Sequence, residues 1–140
     1  MGDPYNLQRF VDAQASVYPA VLAELHAAHK RSHWMWFIFP QIAGLGRSSM
    51  AERYAIGTLD EAREYLAHPV LGQRLRACAA LVASAQASSA HAIFGDPDDM
   101  KLHSSLTLFS LVAPEEAVFC ACLDQYFGGQ PDAATVALVK

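Results

Sequence analysis

Apolar residues recur along this chain at intervals of three and four, the period of helices that bury one side. Leu7, Phe10, Val11 and Gln14 predict a first helix, capped by Asp3 ahead of Pro4 and carrying Gln14 on the side of Phe10. Val21, Leu22 and Leu25 predict a second, begun at Pro19 and running out near His29-Lys30, where basic residues suit a C-terminal end. After the turn Gly44-Leu45-Gly46, Ser48 or Ser49 caps a brief helix with Met50, Ala51 and Tyr54. Thr58 and Glu61 form a capping box for Leu59, Ala62, Tyr65 and Leu66. His68-Pro69 restarts a helix through Leu71, Leu75, Cys78 and Val82, and the small polar residues Ser84 to Ser89 read as a connector.

Asp96-Pro97-Asp98-Asp99 places a cap, a proline and two acids at the positive end of a helix reaching about Val112. Pro114-Glu115-Glu116 opens another, with Val118, Phe119, Leu123 and Tyr126, that stops at Gly128-Gly129. Pro131-Asp132 begins a last turn or two ending at Lys140. Six of the seven prolines thus read as first-turn helix prolines, where the missing N–H costs nothing.

Residues 30–41, KRSHWMWFIFPQ, break this pattern, being apolar on every side and holding both tryptophans. The composition favours a strand. A strand needs a partner, and no second convincing strand is present, so the reading is a short buried helix over 33–39 with Ser32 as N-cap and an end near Pro40. The expected fold is all-α, a single compact domain over 1–140 of about seven to eight helices.

Composition narrows the function. At 140 residues, 53% hydrophobic and 17% charged, the chain is globular and dry. A net charge of −4 argues against a nucleic-acid binder. Met1-Gly2-Asp3-Pro4 lacks a cationic, apolar leader and the aromatic block is too short to span a bilayer, so the expected location is cytoplasmic, with no membrane contact. Cys78, Cys120 and Cys122 are odd in number and contain no C-x-x-C pair, and the six histidines complete no ligand set, so neither a disulfide frame, a metal nor a cofactor is expected.

Two stretches carry candidate chemistry. Lys101, Ser104 and Ser105 share a helix side at i, i+3 and i+4, at the edge of buried surface, where they serve a ligand or a Ser–Lys nucleophile, or else the serines bond their own helix backbone while Lys101 caps another helix's carbonyls. Asp98 and Asp99 in the same first turn compete with any anion. In the aromatic block, His33 reads as an acid–base group or as a helix-start histidine bonded to backbone, and Trp34 and Trp36 as core or as a stacking wall. Lys30, Arg31 and Gln41 add charge and amide contacts, and Gln14 and Tyr54 are polar tips on apolar sides. The catalytic candidates are His33, Lys101 and Ser104.

Asp3 to Gln14, Arg31 to Gln41 and Ile93-Phe94-Gly95-Asp96-Pro97-Asp98-Asp99-Met100-Lys101-Leu102-His103-Ser104-Ser105 together resemble the bacterial domain of unknown function 1810 family, over nearly the whole chain. The resemblance implies a compact helical protein and no particular reaction. The family pattern usually has an arginine where this chain has His103, so a role resting on a fixed positive charge there does not carry over. The label calpastatin, sometimes attached to relatives, denotes a disordered inhibitor and is at odds with a dry, helix-capped sequence.

Two readings of function follow. One is a small-molecule protein or enzyme, its planar or anionic, nucleotide-derived ligand held between the aromatic block and the 96–112 helix, the way ligand pockets combine apolar walls with a few polar groups. The other is a helical interaction module gripping another protein through the aromatic block. A monomer or a homodimer suits either.

Overall fold

Helix α8 (Asp98–Val112) is withdrawn from water along most of its length, with Leu102 and Ser104 to Phe109 all buried. A helix buried on several sides, here with Ser104, Ser105 and Thr107 among the enclosed residues, needs other helices around it. The computed structural model, which describes residues 2–139, shows how. Preceding it are α1 (Gln8–Ala15), α2 (Tyr18–His26), α3 (Met35–Ile38), α4 (Ser49–Arg53), α5 (Leu59–Ala67), α6 (Leu71–Ser84) and α7 (Ala90–Phe94); following it are α9 (Ala117–Phe127) and α10 (Ala133–Val139). Helices α5, α7, α9 and α10 pack on α8, and α6 joins α5 to α9 and α2 around the same core. The fold is all-helical, one parallel bridge between Ile42 and Ile56 being the sole β pairing among the described residues. The expected end of the last helix at Lys140 lies outside those residues.

Ten helices stand among the described residues where seven to eight were expected. Several are single turns, and α7 lies just after the stretch read as a connector, where Ser89 caps it by accepting from the Ala92 N–H (3.1 Å). Ser48 and Thr58 cap α4 and α5 as expected, accepting from the N–H groups of Ala51 and Glu61. Gly128, at φ +62°, ends α9 in the left-handed conformation that glycine adopts without strain.

The helix starts differ from the proline reading. Only Pro19 lies inside a first turn; Pro4, Pro69 and Pro114 occupy the turns before α1, α6 and α9, and Pro131 lies in the irregular stretch before α10. Pro97 is itself the residue preceding α8, so Asp96 is not its cap. A proline fixes φ without committing the chain to a helix, and a preceding turn uses that constraint equally well. Asp3 still receives the N–H groups of Leu7 and Gln8 (2.7 and 2.8 Å), though α1 begins only at Gln8. Likewise α2 stops at His26, short of His29-Lys30, because Ala28 turns the backbone at φ +55°.

Candidate functional site

Helix α2 sets the aromatic block in place through one carboxylate. Glu24 accepts from the N–H groups of Arg31 (2.7 Å) and Ser32 (3.0 Å), from the Ser32 hydroxyl, and from the Trp34 indole N–H (2.9 Å). Burial alone would raise its pKa, but these donors outweigh that and hold it down at about 2. Ser32 is therefore bound to Glu24 and is not the expected N-cap. Trp34 precedes α3, which spans a single turn where 33–39 was expected. With its N–H satisfied, the Trp34 ring is only 1% exposed and packs against Phe39 and Phe94.

The chain then ties this turn to the start of α8. The Lys30 N–H donates to the Ile93 carbonyl (2.8 Å), and its side chain, 6% exposed, brings Nζ to 2.8 Å from Asp98 Oδ2 and 5.0 Å from the Trp34 ring centroid. Lys101 approaches the other oxygen of Asp98 (3.6 Å) and stands 4.9 Å from the centroid of half-buried Trp36. Each ammonium thus faces an indole, and one aspartate lies between the two.

Hollows open beside Lys101. A slot of about 10 Å³, room for roughly one water, lies among Met35, Trp36, Phe39, Gln41, Tyr54 and Lys101. A hollow of about 280 Å³, open to solvent, shares Gln41 and Lys101 with it and adds His103, Ser104 and Asp132 among its polar walls. A third, of about 540 Å³, meets both at Gln41 and runs past Gly46 to Arg47. Gln41 lines all three.

The two stretches singled out in the sequence therefore meet, and Lys101, Trp36, Gln41, Tyr54 and Ser104 share the walls of these hollows. Other candidates lie elsewhere. His33 is exposed and lines neither hollow beside Lys101. Ser105 is fully buried with its hydroxyl unpaired, not at an edge. Gln14 is a core residue: Nε2 donates to the Phe37 carbonyl (2.8 Å) and the Tyr65 hydroxyl (3.2 Å), while Oε1 accepts from Arg74 (3.2 Å). The Ser104 hydroxyl donates to the Met100 carbonyl and to Asp132 (3.2 Å each), whereas Lys101 is directed at Asp98 and Trp36.

Sequence reasoning missed Glu24 and Asp132. Glu24 lies between Val21 and Leu25, an acid beside the inward stripe of a helix, which is a readable signal for a carboxylate with buried partners. Asp132 caps α10, its Oδ2 accepting from the N–H and hydroxyl of Thr135 (3.1 and 2.7 Å).

Helices closed around a buried central α8, with two ammonium–indole pairs beside its start, define a small all-helical protein class. The chain belongs to the family described as protein of unknown function (DUF1810), whose pattern matches residues 4–139. It is similar to the conserved hypothetical protein Rv1873 from Mycobacterium tuberculosis, known from a crystal structure, with 52% identity and a TM-score of 0.96 over 98% of each chain. No curated protein matches it. No helix among the described residues is long and apolar enough to cross a membrane.

Proposed function

We propose that this protein binds a small anionic molecule in the cleft between the aromatic block and the first turns of α8. The observation that carries this reading is the placement of Lys101 over Trp36 at the rim of hollows lined from both stretches. The aromatic slot is too small to admit a ring while Lys101 covers the indole. Capture of an anionic group draws Lys101 off Trp36, and a planar part of the same ligand then takes the exposed face. Stacking and anion recognition are in this way coupled through one side chain. A grip on a protein partner has less to rest on, since Trp34 is enclosed in the core.

Thermal-shift titration with nucleotides, ADP-ribose and non-planar anions tests this. The expected result is stabilisation by a planar anion that Lys101→Ala and Trp36→Ala each abolish while the proteins still unfold cooperatively. Stabilisation that survives both substitutions, or none with any of these compounds, overturns it.

A further inference from the structure

The polar walls of the 280 Å³ hollow beside Lys101 are mostly acceptors, and that restricts what fits there. Asp132 Oδ2 already receives three protein donors, from Ser104 and from the N–H and hydroxyl of Thr135, while Oδ1 receives none from the described residues. His103 is stacked flat on Phe127, with centroids 4.0 Å apart, and its Nε2 lies 2.8 Å from the Gln130 carbonyl. A carbonyl only accepts, so Nε2 carries the hydrogen, and in the neutral ring Nδ1 is then an acceptor. Gln41 contributes an amide with no side-chain partner among the described residues, and Lys101 a cation whose nearest carboxylate oxygen is at 3.6 Å. Leu45, Pro97 and Met100, the last 65% exposed, supply apolar wall.

We infer that this hollow takes a polyhydroxylated anion of the sugar-phosphate class, with Lys101 against the phosphate and Asp132, His103 and Gln41 against the hydroxyls. The inference rests on the cleft assigned above and adds the chemistry it reads. A bare phosphate gains from Lys101 but meets the carboxylate of Asp132 on the same wall, and like charges in a confined site repel. A ligand ammonium holds its three N–H donors on one atom and would meet the like charge of Lys101, whereas these acceptors come from three separate segments, the 41–46 loop, α8 and the start of α10. Several hydroxyls match that spread. The free volume lies near the lower end of the range for small-molecule pockets and suits a single monosaccharide phosphate.

The test is titration of the ¹⁵N-labelled full chain with ribose 5-phosphate, glucose 6-phosphate, ribose and inorganic phosphate, followed by amide shifts at Gln41, Lys101, His103 and Asp132. A sugar phosphate is expected to shift these amides saturably, with phosphate and free ribose at least about tenfold weaker. Asp132→Asn keeps a cap oxygen for Thr135 and turns the free acceptor into a donor, so it is expected to weaken sugar-phosphate binding about tenfold without lowering Tm. Gln41→Leu, remote from that cap, gives the same direction by a second route. No saturable shift with either sugar phosphate, phosphate alone binding as tightly, or both variants binding like the parent overturns the inference. Nucleotide binding that needs Lys101 and Trp36 but ignores Asp132 and Gln41 removes the hydroxyl reading and leaves the cleft assignment standing.

Discussion

Lys30 and Asp98 are joined across 2.8 Å, and this ion pair fastens the aromatic turn to the start of the central helix. Its lysine side chain is 6% exposed and its aspartate 19%, so water screens it far less than a surface pair. Lys101, at 3.6 Å from the same carboxylate and more open to solvent, contributes much less. Lys30→Ala is therefore expected to destabilise the fold by about 2–3 kcal/mol, with much of the cost arising from a partly buried aspartate left short of a partner. Lys101→Ala is expected to cost under about 1 kcal/mol. Trp34→Ala, which empties a core position, sets the upper scale at about 3–5 kcal/mol. Urea unfolding of the three variants checks the order, and equal losses for Lys30 and Lys101 would contradict the different roles given to them.

Gln14 joins α1, the aromatic block and α5–α6 through the Phe37 carbonyl, the Tyr65 hydroxyl and Arg74. Gln14→Ala leaves the Phe37 carbonyl without this donor in a place with little water. The expected loss is about 2–3 kcal/mol, more than the few methylenes removed would explain. Gln14→Glu is expected to be at least as harmful, because a carboxylate cannot donate to the Phe37 carbonyl. Chemical denaturation with an unchanged m-value is the check.

Glu24 makes stability depend on acid. Its folded pKa, about 2, lies below its ordinary value of 4.5, so its contribution is fully present above about pH 4.5 and declines as pH falls. By about pH 2 most of it is gone. Urea midpoints measured from pH 6 to 2 are expected to fall more steeply for the parent than for Glu24→Gln, with the gap between them narrowing toward pH 2. Parallel curves would show that the carboxylate's four donors do not favour its charged form.

The three cysteines differ in access. Burial pushes the Cys78 and Cys122 thiols up to about 12, and the Cys122 thiol donates to the Ala79 carbonyl (3.2 Å), whereas Cys120 is exposed. A thiol that stays protonated and enclosed does not attack a disulfide reagent. One fast equivalent of thiol is expected to react in the folded protein at pH 8, and the other two only at the rate of unfolding. Cys120→Ser should remove the fast phase alone.

Much of the architecture was readable along the chain because it rests on local chemistry. Thr58 with Glu61, Ser48 before α4 and the glycines after Phe127 act within a few residues of themselves, and each stands where the pattern put it. The expectation that the aromatic block is helical also holds, though α3 is only one turn long. Its length escaped the sequence because Ser32, a plausible cap by spacing, is claimed by Glu24 from another helix. The prolines misled for a related reason, since a fixed φ serves a turn as well as a helix.

The sequence by itself determined that the chain would be helical and that Lys101 and the tryptophans were its most unusual groups, because period, capping and composition are properties of neighbours. Only tertiary structure decided which of them share a wall. It enclosed Trp34 and left Trp36 under Lys101, it set Gln14 into the core and His33 outside, and it brought Asp132 from the far end of the chain to Ser104. Those outcomes depend on how helices distant in sequence pack around α8, and no local preference encodes that packing.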